Sequence, residues 1–154
     1  MTPSGKLLRI RGDEAGQVSV LIIGYLLVSL LVVTVVMAVS AVYIEHKKLL
    51  SVADGAALAA ADSFGIDETS GRSAVPLPSL SGSAVQAATG AYVERTGAGG
   101  RFSALAIDAA TGAPDGRTAR VVLTAVVHPP MVSILVPAGI PITAVADARS
   151  ELTR

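Results

Sequence analysis

The sequence predicts an α+β fold: a long N-terminal transmembrane helix that continues outside the membrane, a short second helix, and a small antiparallel sheet of about three strands. Three observations lead to it. Residues 17–44 carry no charged side chain, residues 50–64 place small apolar side chains at helical spacing, and the last third alternates with the period of a strand.

The span comes first in the chain. Between Gln17 and Ile44 the residues Val20 to Ile23, Leu26, Leu27, Leu30 to Val33 and Val35 to Met37 make a nearly continuous aliphatic run. A bilayer-crossing helix needs roughly 20 such residues at about 1.5 Å each, and a chain of 154 residues is too small to wrap so long a helix on every side. Lys6, Arg9 and Arg11 precede the run, whereas Lys47 and Lys48 follow it beside Glu45. The positive-inside bias therefore favours a single-pass protein of the cytoplasmic membrane, N-terminus cytoplasmic and C-terminal domain extracytoplasmic. A cleaved signal peptide is the alternative, with Lys6 to Arg11 as its basic segment and the small residues of Val39-Ser40-Ala41 as its cleavage region. Signal cores run about 7–15 residues, shorter than this one, so an uncleaved anchor is expected. Within the span Thr34 and Ala38 form a small-xxx-small pair, and Tyr43 lies where an interfacial aromatic belongs.

Beyond Ile44, Ala, Leu, Glu and Lys favour continued helix, opposed only by Gly55. Leu50, Ala53, Ala57, Ala60 and Phe64 follow a 3,4,3,4 spacing and share one stripe. With Asp54 they form a candidate helix-packing or partner surface; Asp54 and Asp62 read as partner contacts or, more plainly, as a solvated face and a polar helix end. Residues 65–83 read as a loop, rich in Ser and Gly and broken by Pro76-Leu77-Pro78. Helical character returns from Ala84 to Arg95, with Ala84, Ala87, Ala88 and Ala91 as the apolar face, and stops at Gly97-Ala98-Gly99-Gly100. Strands are expected over Phe102–Asp108, Arg120–His128 and Ile142–Arg149, with a turn at Pro114-Asp115-Gly116 and a break at Pro129-Pro130. The resulting organisation is an N-terminal cytoplasmic segment (1–16), the span (17–44), its extramembrane continuation (45–64), a loop (65–83) and a small α+β extracytoplasmic domain (84–154).

Chemistry finds little purchase. Lys plus Arg equal Asp plus Glu at 12 each, so no global field draws in nucleic acid. There is no Cys and no Trp, which removes thiolate chemistry, zinc–thiolate sites and much of an aromatic ligand platform. His46 and His128 read as polar surface residues, and no nucleophile-elbow pattern ties Ser133, His128 and Asp147 into a triad. Gly97 to Gly100 lacks the Lys-Ser or Lys-Thr of a phosphate loop, and Arg11-Gly12-Asp13 precedes the span. No catalytic, metal or cofactor-binding residue is assigned; the chain is expected not to be an enzyme, with no cofactor and no small-molecule substrate.

The run Asp13-Glu14-Ala15-Gly16-Gln17-Val18-Ser19-Val20, the span, and the alanine-rich run Leu49 to Ala61 interrupted by Asp54 resemble the TadE/TadG-like Flp pilus-assembly family. Leu50, Ala53, Asp54, Ala56, Ala57, Leu58, Ala59 and Ala60 carry the resemblance, which is strongest over residues 9–64. It implies a membrane-anchored, minor pilin-like structural or assembly component of a tight-adherence pilus or related secretion system. The implied partners are the lipid bilayer and other pilus-assembly or secretion membrane proteins. Processed prepilins of this kind carry Glu five residues after the cleaved Gly; counting from Gly16, this chain has Leu21 there. That departure points to an uncleaved, membrane-retained factor. The alternative is an anchored or signal-cleaved extracytoplasmic binding module for a small ligand or cell-wall polymer, which calls for a concave pocket within residues 84–154.

Overall fold

The structure, a computed structural model, describes residues 13–63, 65–66, 78–130, 132–134 and 136–149. It divides into two compact units, residues 1–37 and 38–154. Helix α1 (Asp13–Ala61) supplies the described part of the first unit and enters the second.

In the first unit the helix is apolar all round. Its large side chains from Val18 to Met37 are all more than half exposed, and its most apolar stretch has a mean hydropathy of 2.9 with none of it buried in protein. Such a surface is stable where lipid replaces water, because every helical backbone group is already paired. Thr34 adds no exception, since its hydroxyl donates to the Leu30 carbonyl at 2.9 Å. The chain therefore has one helix among the described residues that is long and apolar enough to cross a membrane.

In the second unit α1 becomes one-sided. Leu49, Val52, Ala53, Ala56, Ala57, Ala60 and Ala61 are buried, while Ser51, Asp54, Leu58 and Asp62 are exposed. The helix ends at Ala61, earlier than the residue 64 expected, where Ser63 turns back and donates both its N–H (3.1 Å) and its hydroxyl (2.7 Å) to the Ala60 carbonyl. Within the segment expected to be loop, β1 (Gly65–Ile66) pairs with β2 (Pro78–Ser79) as a two-residue antiparallel ladder. Pro78 is tolerated there because so short a pairing has an open edge and needs no donor from it.

Helix α2 (Gly82–Thr96) starts two residues before the expected Ala84, at a cap in which the Ser81 hydroxyl accepts from the Ala84 N–H at 3.1 Å. It ends at Gly97 in the left-handed conformation. Its buried face overlaps only half of the alanine face expected: Val85 and Thr89 are buried, Ala84, Ala88, Tyr92 and Val93 partly so, and Ala87 and Ala91 are exposed. Larger side chains gain more by leaving water, so Val85 and Tyr92 set the rotation of the helix. Thr89 satisfies its buried hydroxyl on the Val85 carbonyl at 2.7 Å.

The sheet runs β3 (Ser103–Ile107), β4 (Thr118–Val127), β5 (Ile140–Arg149), antiparallel throughout. β4 and β5 pair without a break from Thr118↔Arg149 to Val127↔Ile140. Ala119, Val121, Leu123, Ala125 and Val127 share a buried core with Ile142, Ala144 and Ala146 and with the stripe of α1. Full burial of a side chain such as Leu49 or Leu123 contributes roughly 1.5–3 kcal/mol. β3 departs from the alternation read in the sequence. Its register shifts between Ser103 and Ala106, Ala104 has φ of 50°, and only Leu105 is even partly buried. At the far end of the pairing, buried Thr111 stands in for a strand: its hydroxyl accepts from the Val122 N–H at 3.0 Å and donates to the Val122 carbonyl at 3.1 Å.

Candidate partner face and membrane-end grooves

The six residues singled out in the sequence separate into three groups. Ala53, Ala57 and Ala60 are at most 1% exposed and lie in the core of the second unit, so their small side chains set a close approach within the chain. Leu50 is partly buried at the margin of that core, and Asp54 is exposed on the opposite side of α1. Phe64 lies outside the described residues. A partner reaching Ala53, Ala57 or Ala60 would have to open that core. Of the two readings of the stripe, helix packing or partner surface, burial at these three alanines goes with the first. The stripe showed a period, and a period does not say whether the surface it meets belongs to the same chain.

The exposed side of the same helix holds Asp54 and Asp62, read in the sequence as partner contacts or a solvated face, and adds Leu58, which that reading left out. Lys47, Ser51, Asp54, Leu58 and Asp62 recur every three or four residues and are all exposed. Leu58 is 63% exposed with Asp54 and Asp62 one turn to either side. The signal was present in the sequence as a second helical stripe, offset from the alanines, but an isolated Leu between carboxylates looked like an interruption.

Nearer the start of the second unit, α1 touches β5. His46 Nε2 lies 3.1 Å from the Thr143 carbonyl oxygen; a carbonyl only accepts, so Nε2 carries the hydrogen. His46 is thus half-buried and fixes the helix to the edge strand of the sheet, where the sequence had suggested a simple surface residue. Ala38, Val39, Val42, Tyr43 and His46 line a groove of about 440 Å³ with Ile140 and Ile142. The Lys47 ammonium stands 5.6 Å from the centre of the Tyr43 ring. A second groove, about 480 Å³, is lined by Glu45, Lys48, Val52, Arg101 and Phe102, and a smaller one of about 230 Å³ adds Ser103, Val126, Val127 and His128 to Glu45, Arg101 and Phe102. Lys48 is paired with Glu45 at 2.7 Å. No group of three or more His, Cys, Asp or Glu side chains suited to a metal ion occurs among the described residues.

The strongest electrostatics lie at the other end of the sheet. Asp115 accepts from the Arg117 N–H (2.9 Å), the Thr118 N–H (2.6 Å) and the Thr118 hydroxyl (2.9 Å), with Arg149 at 3.1 Å. Chiefly through the Arg117 and Thr118 backbone donors, its carboxyl is held well below the usual carboxylate range. Arg120 and Asp147, directly paired across β4 and β5, meet through two hydrogen bonds of 2.8 and 3.0 Å, which lower the Asp147 carboxyl and raise the guanidinium. Both arrangements close the sheet and its turn; neither opens onto a groove described above.

A helix long and apolar enough to cross a membrane, running on into a small α+β unit, suits a membrane-anchored protein. Residues 16–63 match the model of the Tad family, described as Putative Flp pilus-assembly TadE/G-like. The matched segment covers the apolar helix, the buried alanine stripe and the exposed Asp54–Leu58 face, and it supports a membrane-anchored role related to Flp pilus assembly. No curated protein and no solved structure matches the chain.

Proposed function

We propose that this chain is a non-catalytic, minor pilin-like assembly component of a Flp-type pilus or related secretion system. It is held uncleaved in the cytoplasmic membrane by α1, with the second unit on the extracytoplasmic side. One observation carries the reading: within the family-matched segment, α1 buries its alanine side in its own core and leaves Ser51, Asp54, Leu58 and Asp62 exposed. An exposed Leu flanked by carboxylates on a helix whose other side is fixed is suited to receive a partner helix or sheet, with Leu58 as the apolar anchor and the carboxylates selecting a basic rim. Orientation is supported by Lys6, Arg9 and Arg11 before the span. Leu21, at the place of the Glu of processed prepilins, supports retention of the N-terminus.

The test is co-purification from membranes of cells expressing the full chain with its neighbouring assembly proteins. Leu58→Glu should lose those proteins while the variant itself accumulates to the normal level. Undiminished recovery with Leu58→Glu would remove this face from the assembly role.

A further inference from the structure

The uncharged run is longer than a bilayer core requires. Residues 17–37 already cover about 30 Å of hydrocarbon at 1.5 Å per residue, so the residues that follow, Ala38 to Ile44, fall at the boundary between acyl chains and headgroups. These residues belong to the second unit, and there Ala38, Val39, Val42 and Tyr43 form the apolar groove with Ile140 and Ile142. The sheet end beside that groove is also without charge: from Val121 to Ala146 the chain has no Asp, Glu, Lys or Arg. In the connection from β4 to β5, Val136 is 40% exposed, and Pro137 and Ala138 are exposed with it. Around the next turn of α1 charge returns with a cationic excess: Lys47 stands against Tyr43, and Lys48, paired with Glu45, shares a groove with Arg101. An apolar groove whose helical wall follows the uncharged run in the chain, rimmed by Tyr and by Lys and Arg, has the chemistry of a surface seated in a leaflet.

We propose that the β4–β5 end of the sheet is a second membrane contact: the groove between Val39, Tyr43 and Ile140 takes a phospholipid acyl chain, Val136, Pro137 and Ala138 dip into the headgroup boundary, and Lys47 and Arg101 face the phosphates. This rests on the spanning reading of α1 but not on the pilus role.

Because the chain has no Cys, single cysteines can carry an environment-sensitive fluorophore without background. The full chain, labelled in turn at Val136→Cys, Ala138→Cys, Val39→Cys, Leu31→Cys and Val145→Cys, is reconstituted in vesicles of equal parts phosphatidylcholine and phosphatidylglycerol. A nitroxide borne near the headgroup end of the lipid chain should quench positions 136, 138 and 39 at least about twofold, and blue-shift their emission, while iodide leaves them untouched. Position 145, 51% exposed on the outer side of β5, should answer to iodide alone. Quenching of 136 and 138 by iodide and not by lipid would overturn the proposal, as would protection from both quenchers, the mark of a second copy or another protein in the groove. Position 31 separates the two readings. If a nitroxide deep in the bilayer fails to quench it, the span itself is wrong and the proposal falls with it; if it is quenched while 136 and 138 are not, the lipid seat alone is lost.

Discussion

Gly55 of α1 lies against the phenol end of Tyr92 of α2: a Cβ at position 55 would meet the Tyr92 hydroxyl and stand 2.6 Å from its Cζ. The one residue of the extramembrane helix that opposes helix formation is therefore the residue that lets the second helix close on the first. The cost of a helical Gly, about 1 kcal/mol against Ala, is accepted for this packing. Gly55→Ala should lower stability by about 1–2 kcal/mol, the overpacking loss reduced by the better propensity of Ala. In a double-mutant cycle read by denaturant unfolding in detergent, Tyr92→Phe should recover part of that loss. Simple additivity of the two changes would contradict the contact.

Ala57 and Leu58 are neighbours in sequence with opposite surroundings, 1% and 63% exposed. Ala57→Glu places an unpaired carboxylate in the core and should cost at least about 3 kcal/mol, seen as lost protein or a collapsed unfolding transition. Leu58→Glu should stay within about 0.5 kcal/mol of the parent. A folded, abundant Ala57→Glu protein would mean that α1 does not pack on the sheet as described.

Gly139 enters β5 with φ of 74°, and a Cβ there would crowd the Val126 side chain, His128 Nε2 at 2.8 Å and the Val127 carbonyl at 3.0 Å. Left-handed backbone alone costs an L-residue about 1–2 kcal/mol, so Gly139→Ala should lose at least about 2 kcal/mol in the same unfolding assay. Ala104 presents the reverse case, a residue with φ of 50° in an exposed bulge. Ala104→Gly should be neutral or stabilising by up to about 1 kcal/mol.

Both perturbed carboxyls, Asp115 and Asp147, are depressed in the folded state. Their contribution is therefore present above the unfolded value near 3.9 and is lost as pH falls through the folded values. Thermal unfolding followed by circular dichroism should change little on their account between about pH 7 and pH 5 and should decline below about pH 4. Asp115→Asn should flatten that acid limb while lowering stability at neutral pH. An acid limb unchanged by Asp115→Asn would show that the turn at Asp115 contributes nothing to it.

Much of this architecture was legible because its signals are local. An uncharged aliphatic run, an alternating β5, and a Gly-rich stop after α2 each follow from residues adjacent in the chain. What escaped reading depends on distant partners. The alanine stripe of α1 shares its core with β4 and β5, some 60 to 90 residues later, so its spacing indicates the face but not the identity of what covers it. In α2 four alanines suggested one phase, while Val85, Thr89 and Tyr92, with more area to bury, imposed another. The bulge at Ala104 left no trace in composition, because Ala is not a residue that announces a left-handed backbone. For the candidate site, Asp54 was seen and Leu58 was not: exposure of a Leu is decided by which side of the helix the sheet occupies.

The central claim is that the exposed side of α1, and not its alanine side or the outer side of the sheet, meets other assembly proteins. The most direct measurement places a photo-crosslinking amino acid at Leu58 and, separately, at Val145 in the full chain in living cells. Crosslinks to other pilus-assembly membrane proteins from position 58 and not from position 145 are the predicted result. Capture of those proteins from position 145, with none from position 58, would contradict the account.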